Sequence, residues 1–164
     1  MAKENKIFSC KQENLLAKLL GWDVVSGSGA RFLPGDIKND EWLGECKTHN
    51  RPGHRIEFHL DIWRKLYREA ITQLRRPVYF VDDGSQLSSK TWAMTCWLPI
   101  EKVKVVEYFG RVSSSVTFDD SLSKDNLFSV FNDSDDIVVY ELHFGDDTVW
   151  LTSFDMFTKI VGLV

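Results

Sequence analysis

Pro34-Gly35-Asp36-Ile37-Lys38-Asn39-Asp40-Glu41-Trp42-Leu43-Gly44-Glu45-Cys46-Lys47-Thr48 is the stretch on which the reading of this chain turns. Trp42-Leu43 and Cys46 are apolar, as a half-buried strand requires, and in a strand residues i and i+2 point to one face. Glu45 and Lys47 therefore share a face, with Cys46 turned into the core behind them. Asn39-Asp40 supplies a two-residue hairpin turn. That turn pairs Lys38 with Glu41, Ile37 with Trp42 and Asp36 with Leu43. Asp36 then lies one diagonal step from Glu45 on the same face, roughly 7–8 Å away. Two carboxylates at that separation can converge on one hard cation, with a lysine beside it.

Such a pattern has a chemical use. Mg²⁺ prefers octahedral oxygen ligands, keeps several waters, and is held by one or two carboxylates together with substrate phosphate. Asp36, Glu45 and the backbone carbonyl of Cys46 are the candidate ligands for Mg²⁺ or Mn²⁺. A cation held there would produce a hydroxide-like nucleophile and neutralise charge on a phosphoryl centre. Lys47 would orient the attacking water or stabilise the developing negative charge.

The surroundings extend the pattern. An amphipathic helix comes first, with Ser9 as N-cap and Gln12 closing a capping box. Leu15, Leu16, Leu19 and Leu20 form its buried stripe, and Glu13 lies near the core-facing edge. Gly21 to Arg31 reads as a short strand running into the loop Ser26-Gly27-Ser28-Gly29, then Ala30 and Arg31. After Lys47 come a breaker-rich loop from His49 to Arg55, a helix from Leu60 to Leu74 and the strand Pro77–Val81. In that second helix Trp63, Leu66, Tyr67, Ala70 and Leu74 read as inward. Arg64, Lys65, Arg68 and Arg75 fall on the outer side.

Helix, strand, Ser-Gly-Ser-Gly loop, Pro-Gly-Asp strand, Glu-Cys-Lys strand, helix, strand: this order resembles the PD-(D/E)XK nuclease superfamily, and within it the archaeal and phage-type Holliday-junction resolvases. The resemblance covers residues 9–82, with Glu45-Cys46-Lys47 matching the Glu-x-Lys element unchanged. The chain departs from it in having Pro-Gly-Asp in place of Pro-Asp, which still leaves Asp36 in the metal-binding position. The resemblance implies a restriction-endonuclease-like core, that is, a mixed central sheet flanked by helices. It also implies a glutamate early in the first helix that reaches the metal, often through water. Glu13 is the best match and Glu4 the runner-up. A loop serine near the scissile phosphate is implied too, and Ser26 or Ser28 fits. DNA phosphates are the expected partners of Ser26, Ser28, Arg31, His49, Arg64 and Arg68.

Composition bounds these expectations. The chain has 164 residues and a net charge of −4, unevenly spread. Residues 1–81 hold fourteen Lys/Arg against ten Asp/Glu, a balance of +4, and residues 82–164 are at −8. Every candidate site residue lies in the basic half, where phosphate contacts are favoured. Three cysteines at wide spacing suggest neither a disulfide framework nor a zinc site. With no signal segment and no apolar span, a cytoplasmic or other intracellular setting is expected, away from membranes. His49, His54 and His59 lack metal-ligand spacing, so no histidine site is assigned.

The second half, residues 83–164, reads as a strand-rich extension of one domain. Strands are expected at 91–98, 103–106, 111–118, 137–144 and 148–152, with a turn at Gly145-Asp146-Asp147 and a closing helix from Phe154 to Val161. The acidic, Ser-rich segment 119–136 reads as a loop with a helical piece near 127–131. These strands would extend the nuclease sheet, build a dimer interface or bind another protein.

The expectation is an α/β endodeoxyribonuclease using Mg²⁺ or Mn²⁺, with Glu13, Asp36, Glu45 and Lys47 catalytic and branched DNA as substrate. A four-way junction needs two matched cuts and each chain supplies one site, so a two-fold homodimer is expected. The alternatives are a restriction-like or repair nuclease on duplex or flap DNA, and a catalytically idle DNA- or protein-binding module whose acidic half recruits a partner.

Overall fold

The strand that carries Glu45 lies inside a mixed eight-stranded sheet covered by helices on both faces. The structure, a computed structural model, describes residues 2–26, 34–98, 103–112, 114–118 and 137–162. The elements in chain order are α1 (Ala2–Leu20), β1 (Asp23–Val24), β2 (Ile37–Lys38), β3 (Trp42–Lys47), β4 (Ile56–His59), α2 (Leu60–Thr72) and β5 (Arg76–Asp82). Then follow β6 (Thr91–Thr95), β7 (Val103–Val112), β8 (Ser115–Phe118), β9 (Ile137–Phe144), β10 (Asp147–Ser153) and α3 (Phe154–Val161). The sheet order is β1-β2-β3-β5-β6-β10-β9-β7, and β4 pairs with β8 in a separate two-stranded sheet. β3–β5 and β7–β9 are parallel, and the other ladders are antiparallel.

Alternation along β3 and β5 divides the core in two. Leu43, Tyr79 and Val81 point to one face, where Trp63, Leu66 and Ala70 of α2 cover them together with Ile56, Phe58 and Val116 of the small sheet. Trp42, Cys46, Val78 and Phe80 point to the other, under Leu16 and Ala17 of α1 and Phe154, Phe157 and Ile160 of α3. β5 is buried from Pro77 to Asp82, as befits a strand covered on both faces. The helix α3 starts where Ser153 Oγ accepts from Met156 N–H at 3.3 Å, an N-cap bond.

Several local expectations are corrected. The first helix begins at Ala2, so Ser9 lies inside it rather than capping it. Ala, Lys and Glu in 2–6 are strong helix formers, and propagation through them overrides a local capping pattern. The hairpin turn runs from Asn39 to Trp42, because the Asn39 side chain accepts from Glu41 N–H (2.9 Å) and Trp42 N–H (2.7 Å). The register is therefore Ile37 opposite Gly44 and Lys38 opposite Leu43, two residues from the one expected. In α2, Tyr67 is partly exposed and Leu74 is 93% exposed; Leu74 lies beyond the helix end with φ 56°. The single strand expected at 111–118 divides near Ser114 into the end of β7 and β8, which join different sheets. β4 falls between the expected loop at 49–55 and the helix expected from Leu60, in a stretch to which the sequence reading gives no element. Its alternating Ile56-Glu57-Phe58-His59 finds its partner only in residues 115–118.

The second half does extend the sheet, through β6, β10, β9 and β7. The segment 119–136, with its expected helical piece, lies outside the described residues. Among the described residues, no helix is long and apolar enough to cross a membrane.

Candidate active site

Because side chains alternate with a period of two, a register shift of two residues returns the same face. Carried one residue beyond Ile37–Gly44, the observed register brings Asp36 beside Glu45 instead of diagonal to it. Gly35 permits this. Its φ is 71°, a conformation that disfavours a side chain, and a Cβ there would crowd the Leu43 side chain, 2.6 Å from Cδ1. The glycine that separates Pro34 from Asp36 thus presses the chain against β3 just before the carboxylate.

Asp36 Oδ2 accepts from the Cys46 N–H at 2.8 Å and stands 4.0 Å from Lys47 Nζ. Lys47 Nζ donates to Glu45 Oε1 and reaches the Cys46 carbonyl at 3.4 Å. Both carboxylates are largely buried, with side chains 11% and 13% exposed, whereas that of Lys47 is 43% exposed. Burial, and then the charge of Asp36, pushes the Glu45 carboxyl above its ordinary value, against the pull of Lys47 and Lys65. Burial works against the Lys47 ammonium, yet Glu45 and Asp36 leave its pKa raised, so it is a cation at neutral pH. The pocket is crowded with negative charge and one lysine does not relieve it.

Glu13 lies within electrostatic reach of Cys46. It is 6% exposed on α1. The Cys46 thiol is pushed well up by burial and then by the charges of Asp36, Glu13 and Glu45, which sets all three carboxylates around one residue. Glu4 lies nine residues earlier on the same helix, about 13 Å along its axis. Gln12, read from sequence as a capping residue, donates from Nε2 to the Lys47 carbonyl at 3.0 Å and ties α1 to the end of β3. Its place next to Glu13 was the available signal.

The expected DNA contacts divide. Ser26 is exposed at the end of the described part of its loop, and Ser28 and Arg31 lie outside the described residues. His49 is half-buried just past β3, its ring stacked on His54 at 4.4 Å. Burial, then the neighbouring His54, lowers its pKa, so at neutral pH it is mainly uncharged. Arg68 is exposed and shares a shallow cavity with Pro34 and Glu69, on the side of the Asp36 hairpin. Arg64 lies on the Gly145 turn, where a Cβ would meet its Nη2 at 3.1 Å, in a cavity of about 320 Å³ shared with Tyr67, Arg68, Asp146 and Asp147. Lys65, whose charge reaches Glu45, is the α2 cation better placed for the site.

Among the described residues, no group of three or more His, Cys, Asp or Glu side chains is arranged to hold a metal ion as it stands. Asp36 and Glu45 are turned toward the Cys46 amide and Lys47. The donor set nevertheless suits a hard divalent cation. It offers carboxylate and carbonyl oxygens, without thiolate or imidazole, and Mg²⁺ needs only one or two direct carboxylates when waters complete its shell. A buried amide oxygen at the end of β3, Gln12 Oε1, also lacks a hydrogen-bond partner. No family model, curated protein or solved structure matches the chain.

Proposed function

We propose that this chain is a divalent-metal-dependent endodeoxyribonuclease of the PD-(D/E)XK kind, acting on branched DNA. The observation that carries the reading is the convergence of Asp36, Glu45 and Lys47 at one end of β3, with Glu13 beside them. The order α1-β1-β2-β3-β4-α2-β5, with β5 parallel to β3 and β4 set apart in the small sheet, further supports it, as does the Gly35 turn that seats Asp36.

Asp36, Glu45 and the Cys46 carbonyl would hold Mg²⁺ or Mn²⁺, with Glu13 reaching it through water. The cation would supply charge neutralisation and acidify a bound water. Lys47 places an ammonium next to both carboxylates, where it orients the incoming water and stabilises charge that grows on phosphate oxygens. Burial of the carboxylates excludes bulk water and strengthens each of these charge contacts. Lys65 and Arg68 of α2 lie on the hairpin side, suited to backbone phosphates flanking the cut. Branched DNA as substrate rests on the family resemblance, and a paired cut would call for a two-fold dimer.

A second reading, a catalytically idle DNA- or protein-binding module, draws on one observation. Asp36 and Glu45 already have partners without a metal. One experiment separates the two. Four-way junction, linear duplex, single strand and flap substrates are incubated with the protein in Mg²⁺ or EDTA. Mg²⁺-dependent paired nicks on the junction, absent with Lys47→Ala, support the nuclease. Binding without cleavage under every condition supports the idle module.

A further inference from the structure

Gln12 is 1% exposed, and only half of its amide has a partner. Nε2 donates to the Lys47 carbonyl at 3.0 Å, and because a carbonyl can only accept, the nitrogen must be the atom that faces it. Oε1 is thereby turned away from Lys47, shielded from solvent, and without a hydrogen-bond partner. An unmatched buried acceptor is costly, and native proteins usually satisfy one with a water or a ligand. Its neighbours narrow the choice. Glu13 adjoins it on α1, and Lys47, bonded to its amide, contacts Glu45 and stands near Asp36. Neither an ionised carboxylate nor a phosphate oxygen can donate to Oε1. A water polarised by a cation can do so strongly, and Mg²⁺ or Mn²⁺ bound by two carboxylates retains several such waters.

We infer that Gln12 is an outer-sphere residue of the metal site, Oε1 accepting a hydrogen bond from a water on the cation at Asp36 and Glu45. This rests on the metal-binding reading above. One planar amide then serves two duties, holding the Lys47 backbone through its nitrogen and orienting the cation's hydration shell through its oxygen. Gln12 is a positioning residue and touches no reacting atom. Groups of this kind tune metal affinity by about 10–100-fold.

The test is Mn²⁺ binding to the whole chain without DNA, by titration calorimetry at pH 7, with circular dichroism to check folding. Gln12→Met keeps the side-chain length and loses both polar atoms. Gln12→Glu keeps acceptor oxygens but cannot donate to the Lys47 carbonyl. The inference expects Gln12→Met to bind Mn²⁺ about 10-fold or more weakly, and Gln12→Glu to bind at least as tightly as wild type. Wild-type affinity in Gln12→Met overturns it. So does equal weakening of both variants, which would mean that only the bond to Lys47 matters. Should Gln12→Met fail to fold, Gln12→Glu decides alone, and weaker binding than wild type overturns the inference. Absence of Mn²⁺ binding by wild type would remove the metal reading and this inference together. Binding by wild type with Gln12→Met unaffected would remove only the inference.

Discussion

β3 ends on Glu45 and Lys47, β5 ends on Asp82 with Asp83 following, and the two strands run parallel, so their acidic ends lie side by side. Both acid groups are largely buried, but their bonds differ in reach. Asp82 Oδ1 accepts from Gly84 N–H and Asp83 Oδ1 from Ser85 N–H, each at 2.9 Å and each two residues away. These carboxylates fold their own loop, as turn-forming aspartates do. That loop is tight, since a Cβ on Gly84 would run into the Arg51 carbonyl. Asp36, by contrast, bonds to an amide ten residues away, and Lys47 joins it to Glu45. Local bonds account for one oxygen of each, and Asp82 also reaches the Thr48 side chain just past β3. No turn requires Asp36, Glu45 and Glu13 to meet, and like charges gathered without a local structural need are what a cation site would explain.

The sharpest way to break this contrast is catalytic. Asp36→Ala or Lys47→Ala is expected to lower Mg²⁺-dependent junction cleavage by about 100-fold or more, whereas Asp82→Asn and Asp83→Asn stay near the wild-type rate. The double variant should lose far less than the product of the single losses, because the residues act as a unit. Single-turnover rates on a labelled junction measure this. Equal losses from the two acid groups would erase the distinction.

Stability provides a smaller effect. Asp82→Asn keeps an oxygen for Gly84 N–H, and Asp82→Ala leaves that buried donor unpaired. Comparing two uncharged variants isolates the hydrogen bond, so Asp82→Ala should unfold about 1–3 kcal/mol more easily than Asp82→Asn. Urea midpoints test it, and equal midpoints would deny Asp82 its structural role.

The smallest expected effect concerns pH. Burial raises the Asp82 carboxyl above the ordinary aspartate value, despite the hydrogen bonds that oppose it. The folded chain then holds this proton more tightly than the unfolded chain does. The contribution is complete below the unfolded pKa, about 4, and is lost as pH rises through the higher folded value. Wild type should therefore lose stability relative to Asp82→Asn as pH climbs from about 4 toward neutrality. A constant difference across that range would show that burial does not act on Asp82 in this way.

Much of the site was legible because its signals were local. The two-residue spacing of Glu45 and Lys47 fixes a shared face in any strand, and the apolar Cys46 between them is buried as expected. The hairpin register was misread, since Asn39 draws two backbone amides and lengthens the turn. The face survived because the error was an even number of residues. Arg64 illustrates the reverse case. Its helix face was read correctly, but the Gly145 turn that covers it lies about eighty residues away in sequence and no helical pattern reports it. The pairing of β4 with β8 escaped the sequence reading for the same reason.

The sequence by itself determined the alternation of strands and helices, most of the buried face of α2, and the pairing of a carboxylate with a lysine on one face of β3. These follow from periodicity and neighbouring residues, which act over a few ångströms along the chain. In α1 the expected stripe failed at Leu19, which is 50% exposed, and Gln12 and Glu13 are buried instead. Only the tertiary structure decided that Glu13 is buried within electrostatic reach of Cys46, that Gln12 grips the Lys47 backbone, and that the second half continues the same sheet. Those arrangements depend on how α1 lies across β3 and on strand pairings between distant segments. Packing of the whole core sets them, and no local pattern encodes it.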